Sequence, residues 1–297
     1  MECVLTLIAS AQAPLDDALV AAAREALHAR HATVSPPDWL SPGEACDIAF
    51  ADLGHDIADA AVRAALGDAP VDVVCQPAAD RRKDLLVADM DSTIVTAETL
   101  DELAAFAGLK DKIAAITDRA MRGELDFESA LRERVGMLKG LEADALAKTF
   151  AEIDYMPGAR ALVQTMRANG AYCMLVSGGF TYFTERVAAH CGFHEARANT
   201  LGMDGDRLDG TVGEPILGRD AKLRSLMEGA GARHLPLART CAVGDGANDV
   251  AMLQAAGLGV AYHAKPMVQD MVRVKINHGD LTALLYAQGY RKAEFAA

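Results

Sequence analysis

No two cysteines stand in a C-x-x-C pair, no hydrophobic run approaches membrane-spanning length, and positive charge is scarce. Each shortage excludes something. The six cysteines, Cys3, Cys46, Cys75, Cys173, Cys191 and Cys241, are dispersed and sit mostly in apolar runs such as VDVVC and AYCMLVS. That fits reduced, buried thiols in a cytosolic protein. Lysine and arginine number 29 against 42 aspartates and glutamates, a formal net charge of -13. This balance argues against nonspecific nucleic-acid binding, which needs a basic face. It also gives an anionic substrate no help from the overall field, so an anion site must be neutralised locally. The apolar runs VLTLIA and LLVA are far too short to span a bilayer, so no membrane partner is expected. The opening MECVLTLIAS carries an acid where a signal peptide carries base, and the expected location is cytoplasmic. The eight histidines offer no close ligand pair; His28 and His31 fall on a polar helix face and read as surface. No short-period repeat or low-complexity segment is visible.

What is present is enough apolar material, 51% of 297 residues, for a substantial core. Residues 1–80 read as a small α/β domain: strand ECVLTLIA, helix LDDALVAAAREALHAR, loop SPPDWLSPGEA, strand CDIAFADL, helix DIADAAVRAALG and strand VDVVCQ. Pro77 and the polar AADRRK punctuate the chain, and the basic run Arg81, Arg82, Lys83 is expected to be solvated. Residues 81–297 form the second unit. Strand DLLVAD leads into an Ala- and Leu-rich helical region, then helix ARALVQTMRANG, strand AYCMLVSGG, helix TYFTERVAAHCG and a polar, Gly-rich stretch LGMDGDRLDGTVGEP. Helix AKLRSLMEGAG, strand TCAVGDG, helix NDVAMLQAAG and strand LGVAYHA follow. Strands alternating with helices imply parallel strands joined by crossovers, with ligands gathered beyond their carboxyl ends.

That edge is where the polar residues fall. Asp89 and Asp91 end one strand, Ser177 and Gly178 follow a second, and Asp245 follows a third. Lys222 stands near the start of a helix, and Asn248 and Asp249 open another. Singly, each is an ordinary cap or turn residue. Together, DxDST, SGG, a lysine and GDGxND form an ordered series that independent turns have no reason to produce. Clustered acids repel and do not all ionise without a cation, which points to a hard divalent ion with oxygen ligands, Mg²⁺ first. The lysine and small hydroxyl suit a phosphoryl group. One carboxylate can attack phosphorus and the other can handle protons.

These motifs resemble those of the haloacid-dehalogenase-like phosphatases, over roughly Asp84 to Pro266. The resemblance implies a doubly wound, mostly parallel sheet with a helical cap inserted at about 97–155. It implies Asp89 as nucleophile and Asp91 as general acid/base. It implies Mg²⁺ on Asp89, Asp245 and the main-chain carbonyl of Asp91, with Asp249 supporting the metal site. Ser177, Gly178, Lys222 and Asn248 would hold the phosphoryl group. Within that family DMDSTIVTAETLDELA, AMRGELDFESALRERV and NHGDLTALLYAQGY are most similar to phosphoserine phosphatases. That closer resemblance implies O-phospho-L-serine as substrate, hydrolysed in the last step of serine synthesis. Glu98 would take its ammonium, Arg134 its carboxylate, and Met121 and Phe127 would form an apolar lid. If Asp91 is protonated, the remaining acids balance one Mg²⁺, Lys222 and Arg134. The same machinery could act on phosphothreonine or phosphohomoserine, or serve a phosphotransferase; an amino-acid sensor with a vestigial core is the rival from another class. The N-terminal domain looks like a short or divergent ACT module, implying amino-acid binding or a homodimer contact, with plain packing equally open.

Overall fold

The computed structural model describes residues 2–121, 124–218 and 220–296, except for the side chains of Asp118 and Met121. The N-terminal part runs β1 (Cys3–Ala9), α1 (Asp17–His28), β2 (Thr33–Val34), β3 (Asp38–Ser41), β4 (Ala45–Ala51), α2 (His55–Leu66) and β5 (Val71–Pro77). Asp16 caps α1, its side chain accepting from the Leu19 amide at 2.8 Å. The sheet order is β2-β4-β1-β5, with β3 also on β4, and every pairing is antiparallel. Here the expectation of parallel strands fails. β4-α2-β5 is a crossover between two strands of like direction, but β1 lies between them and runs the opposite way. The loop SPPDWLSPGEA also supplies β3.

The two faces of this sheet go to different places, following the period of two in a strand. Cys3, Leu5, Leu7 and Ala9 of β1 pack with Val20, Ala23 and Leu27 of α1 and Val62 of α2. Ile8, Leu40, Ala45 and Val74 belong instead to the core of the larger part. Burial on both faces explains why CVLTLIA and VDVVC are nearly continuous apolar runs rather than alternating ones.

The larger part runs β6 (Leu85–Ala88), α3 (Thr99–Phe106), α4 (Lys110–Met121), α5 (Phe127–Gly136), α6 (Asp144–Ala151), α7 (Ala159–Ala168), β7 (Tyr172–Phe180), α8 (Thr181–Cys191) and β8 (Glu195–Asn199). It continues with β9 (Leu201–Asp204), β10 (Arg207–Val212), α9 (Ala221–Ala232), β11 (Thr240–Gly244), α10 (Val250–Ala255), β12 (Leu258–Tyr262), α11 (Pro266–Met271), β13 (Val274–Ile276) and α12 (Ala283–Ala287). Six strands form an all-parallel sheet in the order β13-β12-β11-β6-β7-β8. β6 is central, and the strand order runs outward from it in both directions. Helices α3–α6 leave and return at one place, where Val95 and Tyr155 make an antiparallel bridge. The polar stretch after β8 is the β9–β10 hairpin, turned through Gly205 at φ 62°. It is clasped to the inserted helices: the Gly140 amide donates to the Leu208 carbonyl (2.8 Å) and the Leu208 amide to that of Leu141 (2.9 Å).

In the basic run at residues 81–83, Arg82 is exposed as expected, but Arg81 and Lys83 are not solvated. Arg81 drives its guanidinium between the two sheets, donating to Asp47 Oδ2 (2.5 Å), Thr6 Oγ1 (2.7 Å) and the carbonyls of Tyr286 and Ala287 (3.0 and 2.9 Å). Lys83 is 6% exposed and donates to the carbonyls of Asp80 and Ala238. These cations are buried because backbone carbonyls and a carboxylate replace their water. Nearby, β5 lies beside β13. The buried carboxylate of Asp72 accepts from the amides of Asn277 (2.7 Å), His278 (3.1 Å) and Gly279 (2.7 Å). No described helix is long and apolar enough to cross a membrane.

Candidate active site

The site forms where the strand order turns about β6. The apolar β6 delivers Asp89, whose amide still donates to the Val243 carbonyl of β11 at 3.0 Å, so the acid is aligned with the sheet edge. On one side β7 bulges: its register with β8 shifts between Val176 and Phe180, and Ser177–Gly179 occupy the irregularity. On the other side β11 ends at Gly244, directly before Asp245. A Cβ on Gly244 would lie 2.3 Å from Asp249 Cγ, so only glycine lets the Asp249 carboxyl fold back against the strand end. Lys222 enters from the first turn of α9, and Asp249 directly precedes α10.

The charges are arranged as a chain. The Lys222 ammonium, 4% exposed, lies 2.7 Å from Asp89 Oδ1 and 2.6 Å from Asp249 Oδ1. The Met90 amide donates to the same Asp89 oxygen at 2.8 Å. The other Asp249 oxygen accepts from the Gly246 amide at 2.9 Å. Carboxylate oxygens of Asp89, Asp245 and Asp249 lie within 4.8 Å of one another. Burial, then the Asp249 charge, pushes the Asp89 carboxyl well above its ordinary range, with Lys222 opposing. Burial raises Asp245 too, reinforced by Asp249. Burial alone would depress Lys222, but Asp249 and Asp89 carry it above its usual value, so it stays protonated. This is a cluster of acids with too little local positive charge, the condition that a bound divalent cation relieves.

Asp91 faces a different set of partners. The Thr99 amide donates to its Oδ1 at 2.8 Å and Ser177 Oγ to its Oδ2 at 3.0 Å, while burial raises its carboxyl. The Gly179 amide in turn donates to Ser177 Oγ at 2.8 Å. A small cavity of about 20 Å³ is lined by Ser177, Gly178, Lys222 and Asn248 and closed by Phe127 of α5. A Cβ on Gly178 would sit 3.4 Å from the Phe127 ring, so the inserted helices lie directly over this loop. Glu98 precedes α3; its Oε1 accepts from Ser92 Oγ at 2.9 Å. Desolvation, then Asp91, raises its carboxyl. Arg134 is half-buried on α5, lowered by that burial and held up by the charges of Asp101 and Glu98. Its Nε donates to the Ala130 carbonyl at 3.3 Å. Met121 ends α4, and its side chain lies outside the described residues. The structure therefore gathers Asp89, Asp91, Ser177, Gly178, Lys222, Asp245, Asn248 and Asp249 at one edge, with Glu98, Phe127 and Arg134 around it.

Several contributors escaped the sequence reading. Asn199, at the end of β8, donates to the Gly178 carbonyl at 2.9 Å and accepts from the Leu217 amide at 2.7 Å. It replaces ladder bonds that the bulge in β7 removes. Thr99 holds Asp91 through its main chain, which no side-chain pattern reveals. Ser92, at φ 53°, stands inside the DxDST motif itself, and that position was the available signal. The Lys265 amide donates to the Asp245 carbonyl at 3.3 Å, tying the turn after β12 to the site.

Residues 86–254 match the model of the haloacid dehalogenase-like hydrolases. The chain belongs to the haloacid dehalogenase-like hydrolase family. Among relatives within this hydrolase family, a phosphoserine phosphatase of Streptomyces coelicolor is 44% identical over 217 residues, 73% of this chain and 53% of its own. The chain thus spans about half the length of that relative. A probable phosphoserine phosphatase from Vibrio cholerae has a solved structure that superimposes with a TM-score of 0.81 at 29% identity, over 98% of this chain and 88% of its own. A structure described as a phospho-aspartyl intermediate analogue of phosphoserine phosphatase matches at TM-score 0.64 and 36% identity, over 69% of this chain and 98% of its own.

Proposed function

We propose that the protein is a Mg²⁺-dependent phosphatase that hydrolyses O-phospho-L-serine to L-serine and phosphate through an aspartyl-phosphate. One observation carries the reading: a buried Lys222 ammonium bridges Asp89 and Asp249 beside a second strand-end acid, Asp91. The names of the relatives support the substrate.

Asp89 Oδ1 is engaged by Lys222 and the Met90 amide, so Oδ2 is the attacking oxygen. A bond forms from that oxygen to phosphorus as the bond from phosphorus to the serine oxygen breaks. Asp91, its carboxyl raised by burial, gives its proton to the departing serine oxygen. As a carboxylate it then takes a proton from the water that attacks the aspartyl-phosphate, which releases phosphate and restores Asp89. Lys222, Ser177 Oγ, the Gly178 amide and Asn248 hold the phosphoryl oxygens. Glu98 takes the serine ammonium and Arg134 its carboxylate in a forked pair. Phe127, with Met121, keeps bulk water from the acyl phosphate.

The acid cluster fits a hard divalent cation. As the family resemblance implies, we assign Asp89, Asp245 and the Asp91 main-chain carbonyl as ligands, with Asp249, held by Lys222 and the Gly246 amide, behind them. The cation supplies charge neutralisation for the acids and the phosphoryl oxygens. Around this centre, a division into residues 1–80 and 81–297 with a cap at 97–155 is part of the proposal. So is a cytoplasmic setting, which the burial of all six cysteines supports. A homodimer through the ACT-like part rests on resemblance alone, and light scattering decides it.

The test is phosphate release from O-phospho-L-serine beside phosphothreonine, phosphohomoserine and a sugar phosphate, with Mg²⁺ and with chelator. Metal-dependent preference for phosphoserine is the expected result. Preference for another substrate would keep the chemistry and overturn the roles of Glu98 and Arg134; no release from any would overturn the reading.

A further inference from the structure

One hydroxyl at the centre of the site takes no part in the steps above. Thr99 is 1% exposed, and its Oγ1 is buried without a hydrogen-bond partner. A buried hydroxyl left unpaired costs free energy, so such atoms are rare. Thr99 opens α3, so no earlier turn of the helix offers its hydroxyl a carbonyl. Its side chain faces Asp91 instead: burial raises that carboxyl, and the Thr99 amide, the Thr99 side chain and Ser177 oppose the rise. Gly179 shows the arrangement. A Cβ there would lie 3.1 Å from Ser177 Oγ, 3.2 Å from Asp91 Oδ2 and 3.3 Å from Thr99 Oγ1. Two hydroxyls therefore stand around one carboxyl oxygen. Ser177 holds it, donating to Asp91 Oδ2 at 3.0 Å, while the Thr99 amide holds Oδ1 at 2.8 Å.

A hydroxyl carries one proton and donates one hydrogen bond. Ser177 cannot serve Asp91 and a phosphoryl oxygen at once. The bond it accepts from the Gly179 amide, 2.8 Å, uses a lone pair and survives either choice. Seating a phosphoryl group on Ser177 therefore strips Asp91 Oδ2 of its donor, just before Asp91 gives up its proton and becomes a carboxylate. We infer that Thr99 is a positioning residue: as Ser177 turns to the phosphoryl group, the Thr99 hydroxyl turns to Asp91 Oδ2 and takes over as its donor. Asp91 is then held by the amide and the hydroxyl of one residue, aimed at the leaving oxygen and afterwards at the attacking water. Thr99 keeps its own proton throughout. The inference rests on the roles proposed above for Ser177 and Asp91.

Thr99→Val deletes the hydroxyl and keeps the volume; Thr99→Ser keeps the hydroxyl. Because the deleted group is unpaired in the resting fold, Thr99→Val should melt at or above the wild type. With the phosphomonoester that the wild type prefers, Thr99→Val should lose about tenfold in kcat with KM within about twofold, and Thr99→Ser should regain most of it. A crystal structure of the full chain with Mg²⁺ and inorganic phosphate should show Ser177 Oγ on a phosphate oxygen and Thr99 Oγ1 within about 3 Å of Asp91 Oδ2. A lower-melting Thr99→Val, an unchanged kcat, no rescue by serine, or Ser177 on phosphate with Thr99 still unpaired overturns this inference alone. Phosphate that never reaches Ser177, or a wild type that hydrolyses no phosphomonoester, overturns the proposed function with it.

Discussion

Asp89 is held in a fold that disfavours its charge, and that has two separable consequences. Asp89→Asn removes the oxygen proposed to attack, so turnover should fall about a thousandfold or more. The same change removes a buried charge that burial and Asp249 disfavour. A carboxyl raised by folding costs stability at every pH above its unfolded value. In chelator near neutrality, Asp89→Asn should therefore melt higher than the wild type. The gap should shrink as pH falls into the ordinary carboxylate range, and Mg²⁺ should stabilise the wild type more than the variant. Calorimetric melts across pH check all three; a lower-melting variant in chelator would contradict the repulsion argument. Arg134→Ala tests a different role. Losing the proposed forked, charge-assisted pair, worth roughly 1.5–3 kcal/mol, should raise KM for phosphoserine about 10- to 100-fold with a smaller effect on kcat. Steady-state kinetics separate the two parameters.

The strand ends explain why so much of the site could be read before any coordinates. Asp89, Ser177 and Asp245 each follow an apolar run, so the run marks the strand and the next polar residue marks the sheet edge. Lys222 and Asp249 begin helices on that same edge. The β9–β10 hairpin was illegible because LGMDGDRL alternates only weakly and is half-exposed; its partners are the loops of the inserted helices. Asn199 was illegible for a related reason: its meaning lies in a bulge 21 residues away. Packing within an element also predicts. A Cβ on Gly259 of β12 would sit 1.8 Å from the Leu253 carbonyl oxygen of α10, and backbone cannot yield as a side chain does. Gly259→Ala should cost about 3 kcal/mol, seen as a lower denaturant midpoint with an unchanged slope.

At the scale of the whole molecule, the antiparallel sheet is tied to the parallel one by groups far apart in the chain. Asp72 meets Gly279 across 207 residues, and Arg81 meets Ala287 across 206. No local pattern carries such pairings, which is why Arg81 looked solvated. Asp72→Ala leaves three buried or half-buried amides without their acceptor, and should cost about 3 kcal/mol; Asp72→Asn, which keeps an acceptor oxygen, should cost less. Thermal melts of the two variants check the order. The matched phospho-aspartyl analogue structure aligns over 98% of its own length with 69% of this chain. Here the Asp72 and Arg81 contacts make the N-terminal part a structural neighbour of the catalytic sheet.

The cysteines give this chain a built-in reporter. All six are buried, and burial lifts Cys46, Cys173, Cys191 and Cys241 to about 12 and raises Cys75 as well, so at neutral pH almost none of these five is thiolate. An alkylating reagent such as iodoacetamide finds no reactive sulfur on the native surface and six on the unfolded chain. Labelling counted by intact-mass spectrometry would therefore follow global opening with no engineered probe, and peptide mapping of partly labelled chains would show whether Cys3, Cys46 and Cys75 or Cys173, Cys191 and Cys241 open first.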